Sequence, residues 1–190
     1  MKRTTLMSAV ALASLVTLSA CGGRTDGDTA PATEEAAAPA AETTAAAEPA
    51  AAEAPEVEAN GTVIEVQMLT RDPDEPSGLQ VFKPRLIRAK VGDTVTFVPT
   101  DPTHQSSSID GMLPEGARGW QGEINQSVSY VLPMPGVYGY QCVPHYAAGM
   151  VGLIIVEGEG MDANVEAAKA VSHPGLAGRE FGEIFEEAGL

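Results

Sequence analysis

Cys142, His145 and Met150 fall within nine positions of one another in the stretch YQCVPHYAAGM. A thiolate, an imidazole and a thioether are soft and borderline metal donors. Three of them in one loop either meet at a point or stand apart as a buried thiol, a turn histidine and a core filler. His104, in PTDPTHQSSS, is a candidate fourth donor. One thiolate and two imidazoles in a near-trigonal plane, with a weak thioether on the axis, form the donor set of a type 1 copper site. Zinc could enter the same set, although a thioether is an unusual zinc ligand.

Such donors can converge only if the backbone holds them. Cys142 ends the strand-like VYGYQC, Met150 stands just before the nearly continuous apolar strand VGLIIVEG, and Pro144 and Gly149 restrain the loop between. His104 follows TVTFVP, whose Val95 and Phe97 alternate with Thr94 and Thr96. TVIEVQML, RLIRAK and SVSYVL are further short strands, with turns at Gly92-Asp93 and PMPG. Strands of this length separated by Gly and Pro turns predict an all-β sandwich or barrel over residues 60–158. The tail, 159–190, predicts two short amphipathic helices packed on the sandwich. The first is capped at Asp162 and runs to Val171, and the second carries Leu176, Phe181, Ile184 and Phe185 at helical spacing.

The C-x2-H-x4-M spacing of Cys142, His145 and Met150 resembles the cupredoxin family of blue copper proteins. GDTVTFVPTDPTH, IDGMLPEGA, PGVYGYQCVPHYAAGMVG and the helical tail are most similar to the pseudoazurins within it. The resemblance covers residues 62–190. It implies an eight-stranded Greek-key sandwich with one type 1 copper held by His104, Cys142, His145 and Met150, and electron exchange through the edge of His145. Met112, Leu113, Pro114, Pro144 and Tyr146 would surround that edge as an apolar docking patch. Two positions depart from the family pattern. Gln105 stands where an asparagine usually ties the two ligand loops together. Pro102 and Gln141 stand where lysines usually attract an acidic nitrite reductase, leaving Arg71, Arg85 and Arg118 as candidate cations.

The N-terminus is read as processing signal. Lys2 and Arg3 precede an apolar run, Leu6 to Ala20, that ends in LSAC. That ending resembles a bacterial lipobox, so residues 1–20 are expected to be a signal peptide and Cys21 a lipidated N-terminus on the periplasmic side of a membrane. Gly22 after it leans toward the outer membrane. A lipid there anchors without a transmembrane helix. With Cys21 so occupied, Cys142 is the one remaining cysteine, an unpaired thiol in an oxidising compartment that a metal would protect. Residues 21–59 are Ala, Pro, Glu and Thr with almost nothing to bury. They read as a disordered linker of about 35 Å mean span.

The formal net charge is −15, with 26 acidic against 11 basic residues, which argues against nucleic acid or anionic lipid as partners. No Ser-His-Asp set, phosphate loop or second histidine cluster is present, and four protein donors leave no position for a substrate, so an enzyme is not expected. His173 and Trp120 are expected to serve a turn and packing at the domain edge. The expected function is a monomeric, membrane-tethered one-electron carrier serving redox proteins such as a c-type cytochrome or a respiratory copper enzyme. A copper storage or delivery module is the alternative.

Overall fold

The computed structural model describes residues 56–190. The signal peptide, Cys21 and nearly all of the linker lie outside the described residues. Eight strands are followed by two helices. The strands are β1 (Val63–Arg71), β2 (Leu79–Lys83), β3 (Leu86–Lys90), β4 (Thr94–Pro99), β5 (Ser107–Ser108), β6 (Val128–Val131), β7 (Gly136–Gln141) and β8 (Val151–Glu157). The helices are α1 (Val165–Lys169) and α2 (Ala177–Ala188). One sheet has the order β2-β1-β4-β6 and the other β3-β8-β7-β5. From β2 to β7 the chain changes sheet at every step. The pairs β1/β4 and β3/β8 are therefore parallel, while the remaining neighbours are antiparallel.

The alternation in the sequence explains the layers. Val66 and Met68 of β1 and Val95 and Phe97 of β4 are fully buried between the sheets, while Val63 and Thr96 face outward. Strand β8 has no polar face because both of its faces are covered. Ile154 and Val156 join the core between the sheets, and Val151, Leu153 and Ile155 join a second core beneath the helices. Phe181, Ile184 and Phe185 of α2 close that second core. Burial of such side chains stabilises the fold by about 1.5–3 kcal/mol each.

The tail departs from expectation in two places. Helix α1 begins at Val165, not after Asp162, because the Asn164 side chain bonds elsewhere. Its Oδ1 accepts from the Val137 N–H at 2.9 Å and its Nδ2 donates to the Val137 carbonyl at 2.8 Å. The first helix is thus pinned to β7 rather than capped. Leu176 lies at the N-terminus of α2 and is 49% exposed, and its N–H donates to the Ala147 carbonyl at 2.9 Å. Strands β2 and β5 are also present where the sequence reading gave none. Trp120 is in the core rather than at its edge, stacked on Phe97 with centroids 5.4 Å apart and donating from Nε1 to Ser106 Oγ at 3.1 Å.

Candidate metal centre

Two stretches at one end of the sandwich bring the donors together. Strand β7 ends at Gln141, paired with Val151, so the Cys142 position is fixed by the sheet. A 3-10 helix, Val143–Ala148, follows, with Pro144 in its first turn and Gly149 closing it at φ +96°. The positive φ and the crowding both call for glycine, since a Cβ there would stand 2.9 Å from Glu180 Cγ. The Cys142 N–H donates to the Met150 carbonyl at 3.0 Å, which ties the loop's two ends together.

His104 arrives from the end of β4 on a loop stitched at several points. The Asp101 N–H donates to the Met68 carbonyl at 3.1 Å, and Asp101 Oδ2 accepts from the Thr70 N–H at 2.7 Å. On the other side, the Asn125 N–H donates to the His104 carbonyl at 2.8 Å, and Asn125 Oδ1 accepts from the Thr103 N–H at 2.6 Å. Thr103 sits at φ +75°, a conformation disfavoured for a β-branched residue, directly before the histidine.

Cys142 Sγ lies 3.4 Å from His145 Nδ1 and 3.8 Å from His104 Nδ1. The three donor atoms are all within 4.8 Å of one another. His104, Cys142 and Met150 have no exposed surface, and Met150 shares the apolar cluster of Cys142, whereas His145 is half-buried. A first-row ion bonded at about 2.3 Å to sulfur and about 2.0 Å to nitrogen, in a trigonal plane, holds those atoms about 3.7 Å apart. The observed pairs bracket that spacing.

The surroundings favour neutral imidazole and a guarded thiol. Burial, reinforced by the nearby His145, holds the His104 imidazolium below its ordinary range. Burial pushes the Cys142 thiol up, opposed by the backbone N–H groups of Gln105 and His145. An ion must therefore displace that proton. Thr70 Oγ1 lies 3.2 Å from His104 Nε2, so the outer nitrogen is held and Nδ1 is directed toward the thiol.

The structure brings together three of the four expected donors by side-chain atom and places the fourth, Met150, in their common cluster. Gln105 does not tie the ligand loops through its side chain. Its Oε1 accepts from Ser107 Oγ at 2.7 Å, two residues along its own chain. The expected docking patch needs correction as well. Met112 is fully buried, filling the space beside Gly139, where a Cβ would stand 2.5 Å from its Sδ. Pro114 is buried against Gly136, and Leu113 is only half-buried. Of the expected patch, Pro144 is exposed and Tyr146 half-buried like His145, and Val143, Ala147 and Ala148 of the same turn are exposed as well. Arg85 is engaged by Glu180 and Glu187, and Arg71 by the Pro76 carbonyl, which leaves Arg118 exposed.

Thr70 and Asp101 were not singled out as parts of the site. Thr70 is 34 positions from His104, and nothing in its own strand marks it. The Asp-Pro-Thr-His run could have suggested Asp101 as a loop-closing carboxylate, but not its partner.

Residues 71–157 match the family of copper binding proteins of the plastocyanin/azurin type. Two pseudoazurins, from Methylorubrum extorquens and Paracoccus pantotrophus, are 41% and 42% identical over 59% and 58% of this chain, and 74% and 72% of their own lengths. A solved pseudoazurin from a Sinorhizobium species superposes with a TM-score of 0.62 at 42% identity, over 67% of this chain and 96% of that one. Another, from Methylobacterium extorquens AM1, gives 0.61 at 39%, over 66% and 98%. With the sandwich, the converging donors and these relatives in agreement, the chain belongs to the cupredoxins of the plastocyanin/azurin family and is most like the pseudoazurins among them.

Proposed function

We propose that the chain is a blue copper protein that carries single electrons, tethered to the periplasmic side of a bacterial membrane through a lipid on Cys21. The observation that carries the reading is the convergence of Cys142 Sγ, His104 Nδ1 and His145 Nδ1 at one end of the sandwich, with one of the two imidazole rings, that of His145, only half-buried. His104, Cys142, His145 and Met150 are the assigned ligands. Copper bound there would supply a Cu(I)/Cu(II) couple, and a thiolate donor would give it intense visible absorption.

The chain's own contribution is to hold and to expose. Cys142 and Met150 are fixed by β7 and β8, and His104 is fixed by Thr70 and Asn125, so the donors do not rearrange freely. Burial of His104, Cys142 and Met150 keeps water from the inner side. His145, half-buried in a turn whose Val143, Pro144, Ala147 and Ala148 are exposed, would offer its ring edge to a partner. Four protein donors leave no position for a substrate, which favours a carrier over an enzyme. We take the protein to act as a monomer, with a c-type cytochrome or a respiratory copper enzyme within reach of the tether as its partner. The outer membrane is the favoured location.

The test is the visible spectrum of the purified chain after Cu(II) is added. An intense blue or green band that disappears in Cys142→Ser is expected. Copper bound stoichiometrically with no such band would overturn the carrier and leave storage or delivery as the function.

A further inference from the structure

The 3-10 helix that carries His145 contains no fully buried residue. It is held partly by its own backbone, with the His145 N–H donating to the Cys142 carbonyl at 3.0 Å and the Gly149 N–H to the Tyr146 carbonyl at 2.9 Å. The tail holds it as well. The Leu176 N–H donates to the Ala147 carbonyl at 2.9 Å, and Gly175, at φ +55°, passes so close that any Cβ would overlap that carbonyl. The side-chain contact from the tail to this helix is made by His173, whose Nδ1 lies 2.6 Å from the Tyr146 hydroxyl. His173 is itself held, stacked on Phe181 of α2 with centroids 4.4 Å apart and planes at 30°. Phe181 is buried in the second core, and the first turns of α2 are tied by Glu180 to Arg85, in the connection between β2 and β3, at 3.0 Å.

A continuous set of contacts thus runs from the second core, through Phe181 and His173, to Tyr146, the residue next to His145. We propose that His173 is a positioning residue that acts through the Tyr146 hydroxyl to fix the turn bearing His145, limiting how far that ligand moves as the centre changes oxidation state. The inference rests on the copper reading above. A bare stabilising role for the same contact would alter unfolding but leave the electron exchange rate of the folded protein unchanged.

The experiment compares the copper-loaded full chain with Tyr146→Phe, His173→Phe, the double variant and His173→Gln. Tyr146→Phe removes one oxygen, His173→Phe keeps a ring for the stack on Phe181, and His173→Gln keeps a polar partner for the hydroxyl. Electron self-exchange is read from NMR line broadening, and the thiolate band is recorded alongside. Each of the first two is expected to slow exchange about threefold to tenfold, the range a single hydrogen bond can hold. The double variant should be no slower than the slower single, because both remove the same contact. His173→Gln should recover most of the rate. Wild-type rates in both single variants, with the thiolate band intact, would overturn the inference and leave the copper carrier standing. Losses that multiply in the double variant would overturn it too, since the residues would then act separately. Absence of the band from the wild-type protein would instead mark failure of the copper reading and take this inference with it.

Discussion

Strand β4 has a buried polar group beyond each of its ends, and the two are built differently. Before Thr94, Asp93 forms a closed set. Its Oδ1 accepts from Asn60 Nδ2 at 2.6 Å, its Oδ2 accepts from the Lys90 N–H at 2.8 Å, and its carbonyl accepts from the Leu132 N–H at 2.9 Å. Acceptors there meet donors. Beyond Pro99, His104 Nδ1, His145 Nδ1 and Cys142 Sγ, all three of them metal-donor atoms, face one another. Metal donors there meet metal donors. A buried polar group normally finds a matching partner. The first arrangement therefore serves stability, and the second reads as a place where the partner is a cation.

The largest test of this contrast is Cys142→Ser. It should abolish the visible band completely while leaving the metal-free chain within about 1 kcal/mol of wild type, because the serine hydroxyl can still accept from the Gln105 and His145 N–H groups that face the sulfur. Asp93→Ala should do the reverse. It removes the buried carboxylate that accepts from the Asn60 amide and the Lys90 N–H in two part-buried bonds, so a loss of about 1–3 kcal/mol in urea unfolding is expected, with the visible band of the folded protein unchanged. Should Asp93→Ala bleach the copper band at temperatures where the chain is folded, the two ends are not independent. Thr70→Val is the finer probe. It frees His104 Nε2 without touching a ligand, and copper affinity measured by competition with a chelator should fall about tenfold or more. An unchanged affinity would mean that the Asn125 contacts alone hold His104.

The two ends also differ in how legible they were. Cys142, His145 and Met150 lie in one short run, and their types name the chemistry before any fold is known. Asp93 read only as a turn residue, because its partner Asn60 is 33 positions away. Thr70 was invisible for the same reason. Most strands declared themselves through alternation, and β8 through its lack of it. Strand β5 is two residues long and exists by pairing with Gln141 and Tyr140, so local sequence carries no trace of it. Strand β2 is short, and among LQVFK only Phe82 is fully buried, which leaves too little pattern to read. The patch around His145 failed for a packing reason. Met112 and Pro114 look like surface residues in a Gly-rich loop, and what buries them is room left by Gly139 and Gly136 on another strand. Contacts set by distant glycines are not written next to the residues they admit.

The smallest effect expected is a pH dependence belonging to the Asp93 end alone. The bond from Asn60, with help from the Lys90 N–H, holds the Asp93 carboxyl below its ordinary value of 3.8, against the opposing effect of burial. A carboxyl depressed in the folded state takes up its proton first in the unfolded chain. Its contribution is therefore complete above 3.8 and is lost as the pH falls through the folded value. Urea midpoints of the metal-free chain should decline between pH 5 and pH 2.5, and Asp93→Asn should flatten part of that decline, leaving the share due to groups such as Asp72, which Lys83 depresses similarly. Using the metal-free chain matters, since acid also releases copper from histidine ligands and would add a loss from the other end. If Asp93→Asn follows the wild-type curve throughout, the closed set at Asp93 is held by shape and backbone bonds rather than by its charge, and the contrast between the two ends of β4 would rest on the metal site alone.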